Sequence, residues 1–559
     1  MKKFIALSVL VMTLFTGSAW SAQPEDALST QFEDSVYIVL RLEDTSRLLK
    51  WIFSRENLNL FMPLVMKGKT ELETAAAAEF INALVSMTPL RSSAVVVSMS
   101  KRDVKDMKPF MQIAFTVSPE VSDIVQKVAD GNAEAIDVAT LLLGSRIAAA
   151  FAETTIKVER EKDNIYRVNN EFFMTASEGM VIFGSSVNNI RLSLKALSDE
   201  KTRLFTAKQR RFTEKDYAFV HVDYGTAIAM NGDSKDLEAV DPRKYIDKPL
   251  EFELAFNRQP DRFLMSSAIN LSAALKKEYA EKFQRQFGSL KPSKGGNIDL
   301  ASAGSSTHPL LALGGNMNFE AMNENEALKP IMSSILRNLR VRFGISNEES
   351  AALFTGPFSA IVNGTVTFEG IKIPAVYLSQ TGQDGSAGKV FSKLTKSQHF
   401  SKVQEGILQL DSSLSPISCL AADKGESLGL YFAEFASLKD KPAVKPGFSE
   451  LLEKESISSI WLDFAEIQSW INDDENGVLM MLGPLMTFGG YGDYFKALRD
   501  ILSAELSVPS VSFWSEQPEI CHTEFAVKEI NPENGLFARI IKLYQELSAP
   551  KSSKKGDDK

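Results

Sequence analysis

Phe219-Val220-His221-Val222-Asp223-Tyr224 is an alternating apolar strand that runs into a polar residue, and the same phrase recurs along the chain. The other copies are Val36-Tyr37-Ile38-Val39-Leu40-Arg41-Leu42-Glu43-Asp44, Leu313-Gly314-Gly315-Asn316-Met317-Asn318-Phe319 and Ser459-Ile460-Trp461-Leu462-Asp463-Phe464. Asp223, Asn318 and Asp463 hold the same place; in the first copy it falls to Glu43 or, with one residue of slip, Asp44. Asp and Asn accept hydrogen bonds from the N–H groups that the first turn of a helix leaves unpaired. Helical spacing follows: Leu48, Leu49, Ile52 and Phe53 in the first copy, Phe464, Ile467 and Ile471 in the last. Each phrase therefore predicts a strand-to-helix junction.

Outward from each junction lies a pair of alternating strands with a proline near the start of the second. The pairs are Ala94–Ser98 with Pro109–Val117, Phe252–Phe256 with Phe263–Leu271, Ala360–Phe368 with Pro374–Ser379, and Val511–Ser515 with Ile520–Val527. Proline is tolerated in a turn or at the first position of a strand, not in a central ladder. A helix closes the units, with Val121, Ile124, Val125 and Val128 on one face of the first. Leu275, Tyr279, Phe283 and Phe287 step by four in the second. Ile165–Phe183 and Ile407–Phe432 add strand-rich inserts to the first and third units. The long–short–long–short order predicts a duplicated two-unit module.

The expected fold class is α+β: two tandem similar lobes, each of mostly antiparallel sheets covered by helices. The expected boundaries are a signal peptide at 1–22, a first lobe at 23–287, a flexible linker at 288–307, a second lobe at 308–548 and a disordered tail at 549–559. Lys-Pro-Ser-Lys-Gly-Gly and Ala-Gly-Ser-Ser-Thr give the linker its composition. The alternative is that the resemblance between units is grammar shared by all α+β chains.

The N-terminus supplies the targeting reading. Lys2 and Lys3 precede an apolar run from Phe4 to Phe15, which Gly17, Ser18 and Ala19 close. This is the pattern of a secretory signal peptide, cleaved after Ala19, Ser21 or Ala22. The apolar run is shorter than the roughly 20 residues of a spanning helix. Its removal takes two lysines and no acid, so the net charge moves from −9 to −11. That balance, with 62 Lys and Arg against 71 Asp and Glu, argues against a nucleic-acid partner. No later charge-free run is long enough to cross a bilayer. Asn476 to Gly492 comes nearest and is broken by glycines and Pro484.

The chain's two cysteines, Cys419 and Cys521, are a candidate disulfide in an exported protein. Closing a loop of about 100 residues would contribute about 4–5 kcal/mol in the chain-entropy model. Two buried thiols are the alternative.

Chemical motifs are sparse. The four histidines, His221, His308, His399 and His522, form no His-Glu-x-x-His, and no Cys-x-x-Cys occurs, so the sequence supports no metal and no cofactor. His221 and Asp223, two residues apart, would share a strand face. The matching places hold Arg41, Asn316 and Trp461, so the framework does not need an imidazole there. Cys521 and His522, being adjacent, point to opposite faces and read as a packed thiol beside an exposed ring. Ser198 to Lys201 matches Ser-x-x-Lys without its companion motifs and reads as a surface turn. Gln383 to Val390 resembles a phosphate loop but has Gln383 for the first Gly and Val390 for the hydroxyl residue. Asn472 to Gly477 resembles half a calcium loop, yet Gly483 stands where a bidentate Glu is required.

One stretch departs from the repeat. Val478–Gly492 carries Met480, Met481, Met486, Phe488 and Tyr491 among glycines, and these five are the candidate contacts for a partner or lipid. The alternative is a core helix with a glycine-rich exit. The expected function is that of an exported, periplasmic protein of non-enzymatic binding or scaffold type. Its partner would be an envelope protein or a hydrophobic ligand. Alternatives are a carrier holding a hydrophobic or lipid ligand between sheet and helix layers, and a hydrolase whose site assembles from distant residues.

Overall fold

The computed structural model describes residues 27–28, 35–42, 93–100, 110–116, 158–161, 164–168, 172–177, 180–203, 211–214, 216–231, 244–259, 261–288, 290–324, 328–368, 370–472 and 508–526. The expected signal peptide, the tail and the cap at Glu43 or Asp44 lie outside these residues. The chain forms two compact units: Met1–Asn257 with Ser266–Tyr279, and Arg258–Met265 with Ala280–Lys559.

In the first half the strands are β1 (Ser35–Leu42), β2 (Ser93–Ser100), β3 (Phe110–Thr116), β4 (Val158–Arg160), β5 (Tyr166–Val168), β6 (Phe172–Ser177), β7 (Met180–Gly184), β8 (Asp216–Val222), β9 (Leu250–Arg258) and β10 (Arg262–Ile269). A short β11 (Ser293–Lys294) follows. The second half has β12 (Leu311–Met317), β13 (Gly356–Phe368), β14 (Ile371–Thr381), β15 (Phe400–Gln404), β16 (Ile407–Leu410), β17 (Cys419–Asp423), β18 (Ser427–Phe432), β19 (Glu455–Ser456), β20 (Ser458–Asp463), β21 (Ser510–Gln517) and β22 (Ile520–Ala526).

The repeated phrase supplies two adjacent inner strands of each strand run. In the first half the antiparallel order is β4-β5-β6-β7-β3-β2-β1-β8-β9, and β10 follows β9. In the second it is β15-β16-β17-β18-β14-β13-β12-β20-β21-β22. The order is the same, strand for strand. The first and second phrases pair as β1 with β8, and the third and fourth as β12 with β20.

The expected fold class is corrected. The described strands are dominated by a large antiparallel sheet rather than by helix-covered sheets in two similar lobes. The physical reason is that a hairpin leaves a row of unpaired N–H and C=O groups on its outer strand, and such an edge takes up a further strand. Alternation within one strand carries no information about that choice.

Alternation does set the faces. In β8, Tyr217, Phe219 and His221 are buried and their neighbours are not. In β20 the buried set is Ser459, Trp461 and Asp463. The long hairpin of β13 and β14 bulges between Val362 and Thr365, and Pro374 sits opposite Thr365 there. A bulge is one of the few places inside a ladder that accept a residue without an N–H.

Among the described residues three packed clusters stand out. One, in the first unit, joins Ala114, Ile165, Met180, Ile182 and Ile190. The largest joins Ile361, Tyr377, Tyr431, Phe448, Trp461 and Trp514 in the second. A third sits beneath the helices Lys329–Phe343, Asn347–Leu353 and Ser386–Lys396, around Leu353, Val390, Leu394 and Leu408. Each fully buried aliphatic or aromatic side chain of this kind contributes about 1.5–3 kcal/mol.

The stretch 288–307, expected as a flexible linker, is packed against the second unit. Ile298 and Leu300 lie on its core and Ala303 is part of it. β11 pairs with β19. Gly296 has φ +56°, and a Cβ there would stand 2.6 Å from the carbonyl carbon of Ser458. A Cβ on Gly314 would stand 2.5 Å from Gly296 O. The glycines therefore serve close backbone crossing, which composition alone does not distinguish from flexibility.

Candidate functional site

The polar residues of the repeated phrase act as helix caps. Asp223 Oδ1 accepts from the backbone N–H of Thr226 at 2.8 Å and from its hydroxyl at 2.8 Å. Asn318 Oδ1 accepts from Ala321 N at 3.1 Å. Asp463 Oδ1 accepts from Glu466 N at 3.0 Å. All three span the same interval, from the cap to the third residue beyond it.

Asp463 carries more. It is 1% exposed, and its Oδ2 lies 2.7 Å from Lys445 Nζ, which is also 2.8 Å from Glu466 Oε1. Burial works against the Lys445 ammonium, but the bonds to Asp463 and Glu466 outweigh it and hold its pKa above the ordinary lysine value.

His221 does not form a reactive pair with Asp223. Its ring stacks on Tyr37 with centroids 4.7 Å apart and planes within 10°. Its Nδ1 lies 3.4 Å from Glu251 Oε1. Tyr37, His221 and Glu251 are register neighbours on β1, β8 and β9. The matching side chains also make structural contacts: the Arg41 guanidinium lies 6.0 Å from the Tyr217 ring centroid, Asn316 Nδ2 donates to Ile457 O at 3.2 Å, and Trp461 stacks on Phe448 at 5.3 Å.

Cys419 and Cys521 are not joined by a disulfide. Cys419 is buried in β17, and burial pushes its thiol up to about 11. Cys521 is exposed in β22, its Sγ 3.6 Å from Ser515 Oγ. Cys521 and His522 do alternate, but the faces are the reverse of the expected ones: the thiol is outward and the imidazole inward. The reason is the partner strand. His522 stands opposite Trp514 and stacks on it at 5.0 Å.

Ser198 ends the helix Val187–Ser198, and Asp199 Oδ1 accepts from Lys201 N at 3.1 Å, a surface turn. Gly385, with φ +65°, begins the helix Ser386–Lys396 after β14. Met480, Met481, Met486, Phe488 and Tyr491 lie outside the described residues. Among the described residues no group of three or more His, Cys, Asp or Glu is placed to hold a metal ion.

One open pocket of about 520 Å³ brings together residues that spacing does not connect: Pro292, Lys454, Glu455, Trp514, Glu516 and Gln517. Lys454 ends the helix Pro446–Glu453 and places Nζ 3.5 Å from the centroid of the Trp514 ring. Burial lowers its pKa, opposed by Glu524, whose Oε2 is 3.8 Å away. His522 stacks on the same indole, and His522 Nε2 is 3.4 Å from Glu516 Oε1. The pocket presents an ammonium and two carboxylates to solvent, suited to recognising a polar group. No residue type or spacing in the sequence announced it, since its members come from three distant segments.

No family model matches the chain, and no curated protein matches it. Among solved structures it is similar to TP0453 in crystal forms III and I. The likeness covers 48% of this chain and 89% and 88% of those chains, at 8% and 9% identity and a TM-score of 0.22 in both cases. Among the described residues no helix is long and apolar enough to cross a membrane.

Proposed function

We propose that this is an exported periplasmic protein of non-enzymatic binding or scaffold type. The observation that supports the reading is the use made of the recurring polar residues. Asp223, Asn318 and Asp463 are each spent on the first turn of a helix. His221, the sharpest chemical candidate, is spent on a stack with Tyr37. The repeated framework thus uses its polar groups for folding. Export rests on the charged, apolar and small-residue segments of 1–22.

The test has two arms. The full gene is expressed in a Gram-negative host, and the product's N-terminus is read by mass spectrometry after osmotic shock. A periplasmic chain beginning at Trp20, Ala22 or Gln23 is expected; an intact Met1 in the cytoplasm would overturn export. Native mass spectrometry of the same material is expected to show no stoichiometric lipid. A bound lipid would replace this reading with that of a hydrophobic carrier.

A further inference from the structure

The pocket beside Trp514 holds an ammonium whose bonding capacity the fold does not use up. All the pocket's walls belong to the second compact unit. Lys454 Nζ lies 3.5 Å from the centroid of the Trp514 ring, and that indole, 6% exposed, holds the charge from beneath. The carboxylate that pairs with it, Glu524, is 3.8 Å away, beyond hydrogen-bond distance. Glu524 is also divided, since its other oxygen faces Arg262 at 3.8 Å. An ammonium has three donors, and among the described residues Lys454 Nζ makes no hydrogen bond with any of them. Burial works against this charge, and Glu524 offsets it only in part.

A carboxylate stands one strand step away. Trp514 and Glu516 are two residues apart on β21, a distance of about 7 Å. His522 marks them as neighbours on one face, because it stacks on the Trp514 ring while its Nε2 lies 3.4 Å from Glu516 Oε1. The Glu516 side chain is 53% exposed. A simple anion entering here would be drawn by Lys454 and repelled by Glu455 and Glu516; a simple cation would meet the reverse. A ligand that carries both charges finds a partner for each. An α-amino acid is the smallest of these, with its amine nitrogen and carboxyl carbon about 2.5 Å apart. Charge-assisted hydrogen bonds of about 2.8 Å at either end let it bridge the step. The pocket, about 520 Å³, has the size of a small-molecule site.

From this we infer that the pocket binds a free α-amino acid as its zwitterion, the carboxylate on Lys454 and the ammonium on Glu516. The inference rests on the binding reading and supplies its ligand class. A neutral sugar suits the pocket less well, because Lys454 already covers the face of Trp514 on which a sugar ring would stack.

The test is isothermal titration calorimetry of the full-length chain with L-leucine and L-glutamine, and with the N-acetyl and C-amide forms of each, which keep one charge apiece. At least one free amino acid is expected to bind at a single site, and its two blocked forms at least about tenfold more weakly. Glu516→Gln should abolish the preference over the N-acetyl form, and Lys454→Gln the preference over the amide. Glu516 is exposed, so an unchanged circular dichroism spectrum and melting temperature are expected for its variant, which decides the matter if Lys454→Gln unfolds. No saturable binding, equal binding of the blocked forms, or a preference that Glu516→Gln leaves untouched would overturn the proposal. The amino acid should be recovered unchanged by mass spectrometry. A converted one would support the site and overturn the non-enzymatic reading instead.

Discussion

Asp463 joins two elements through its two oxygens: one caps the helix Phe464–Asn472 at Glu466 N, and the other lies 2.7 Å from Lys445 Nζ. Asp223 and Asn318 occupy the same place, and each caps its own helix through the same interval. Removing a cap costs about 1 kcal/mol. Breaking a buried ion pair from one side costs about 3–5 kcal/mol, because the remaining charge loses its partner. Lys445 is partly exposed, so the lower end of that range applies. Urea unfolding of Asp463→Ala should therefore show a distinctly larger loss than Asn318→Ala. Equal losses would show that Lys445 adds nothing to the cap.

The thiols should differ in reactivity. The thiolate is the reactive form, and burial holds the Cys419 thiol near 11 while Cys521 is exposed. Titration with a chromogenic disulfide at pH 8 should modify one thiol in the native chain and two after denaturation. Peptide mapping should place the fast one at Cys521. Two protected sulfurs that appear only after reduction would show a Cys419–Cys521 bond.

Gly296 offers a check on the packed segment before β12. Its φ of +56° disfavours a side chain, and a Cβ would meet the backbone of Ser458 and Ser459 at 2.6 Å. Gly370, at φ +82°, has nothing within 4 Å of its Cβ position. Gly370→Ala should thus cost only the conformational term, about 1 kcal/mol. Gly296→Ala should cost more, because backbone must move as well. Thermal denaturation of the two variants measures the difference. If they match, the crossing at Gly296 is not tight.

Acid should loosen the cluster beneath Asn347–Leu353. Lys393 bonds to Glu349, and Ser346 completes a capping box with it. Those partners, Lys393 first, hold the Glu349 carboxyl below the ordinary value of 4.5. A carboxylate favoured in the folded chain contributes fully above its unfolded value. That contribution disappears as pH falls through the lower folded value. Lys393→Ala should bring the folded value back toward the ordinary one and shrink the pH dependence below pH 5. Acid titrations of both proteins followed by circular dichroism would show it, and identical curves would count against the pairing.

Much of the local design was legible. The period-two pattern placed β8, β12 and β20, and Asp223, Asn318 and Asp463 were legible as caps because a short acceptor at the end of a strand has few other uses. Pro374 reads as the opening of its strand, but β14 begins at Ile371 and the proline sits within the ladder, beside a bulge that accommodates its missing N–H. The pocket around Lys454 and Trp514 was not legible, since its walls come from three segments, at 292, 454–455 and 514–517, that are far apart in the chain. The orientation of Cys521 and His522 was half legible: alternation separates them, but only the Trp514 opposite decides which one faces inward.

What the chain determines by itself is therefore the repeated phrase, its strand faces, its caps and the apolar spacing of its helices, all consequences of contacts within a few residues. What only the tertiary structure decided is how the strand edges pair into a large sheet, how the glycine-rich stretch at 288–307 packs, and which segments meet around Trp514. Those outcomes depend on which surfaces meet across long separations, and side-chain periodicity specifies a face without naming what that face will touch.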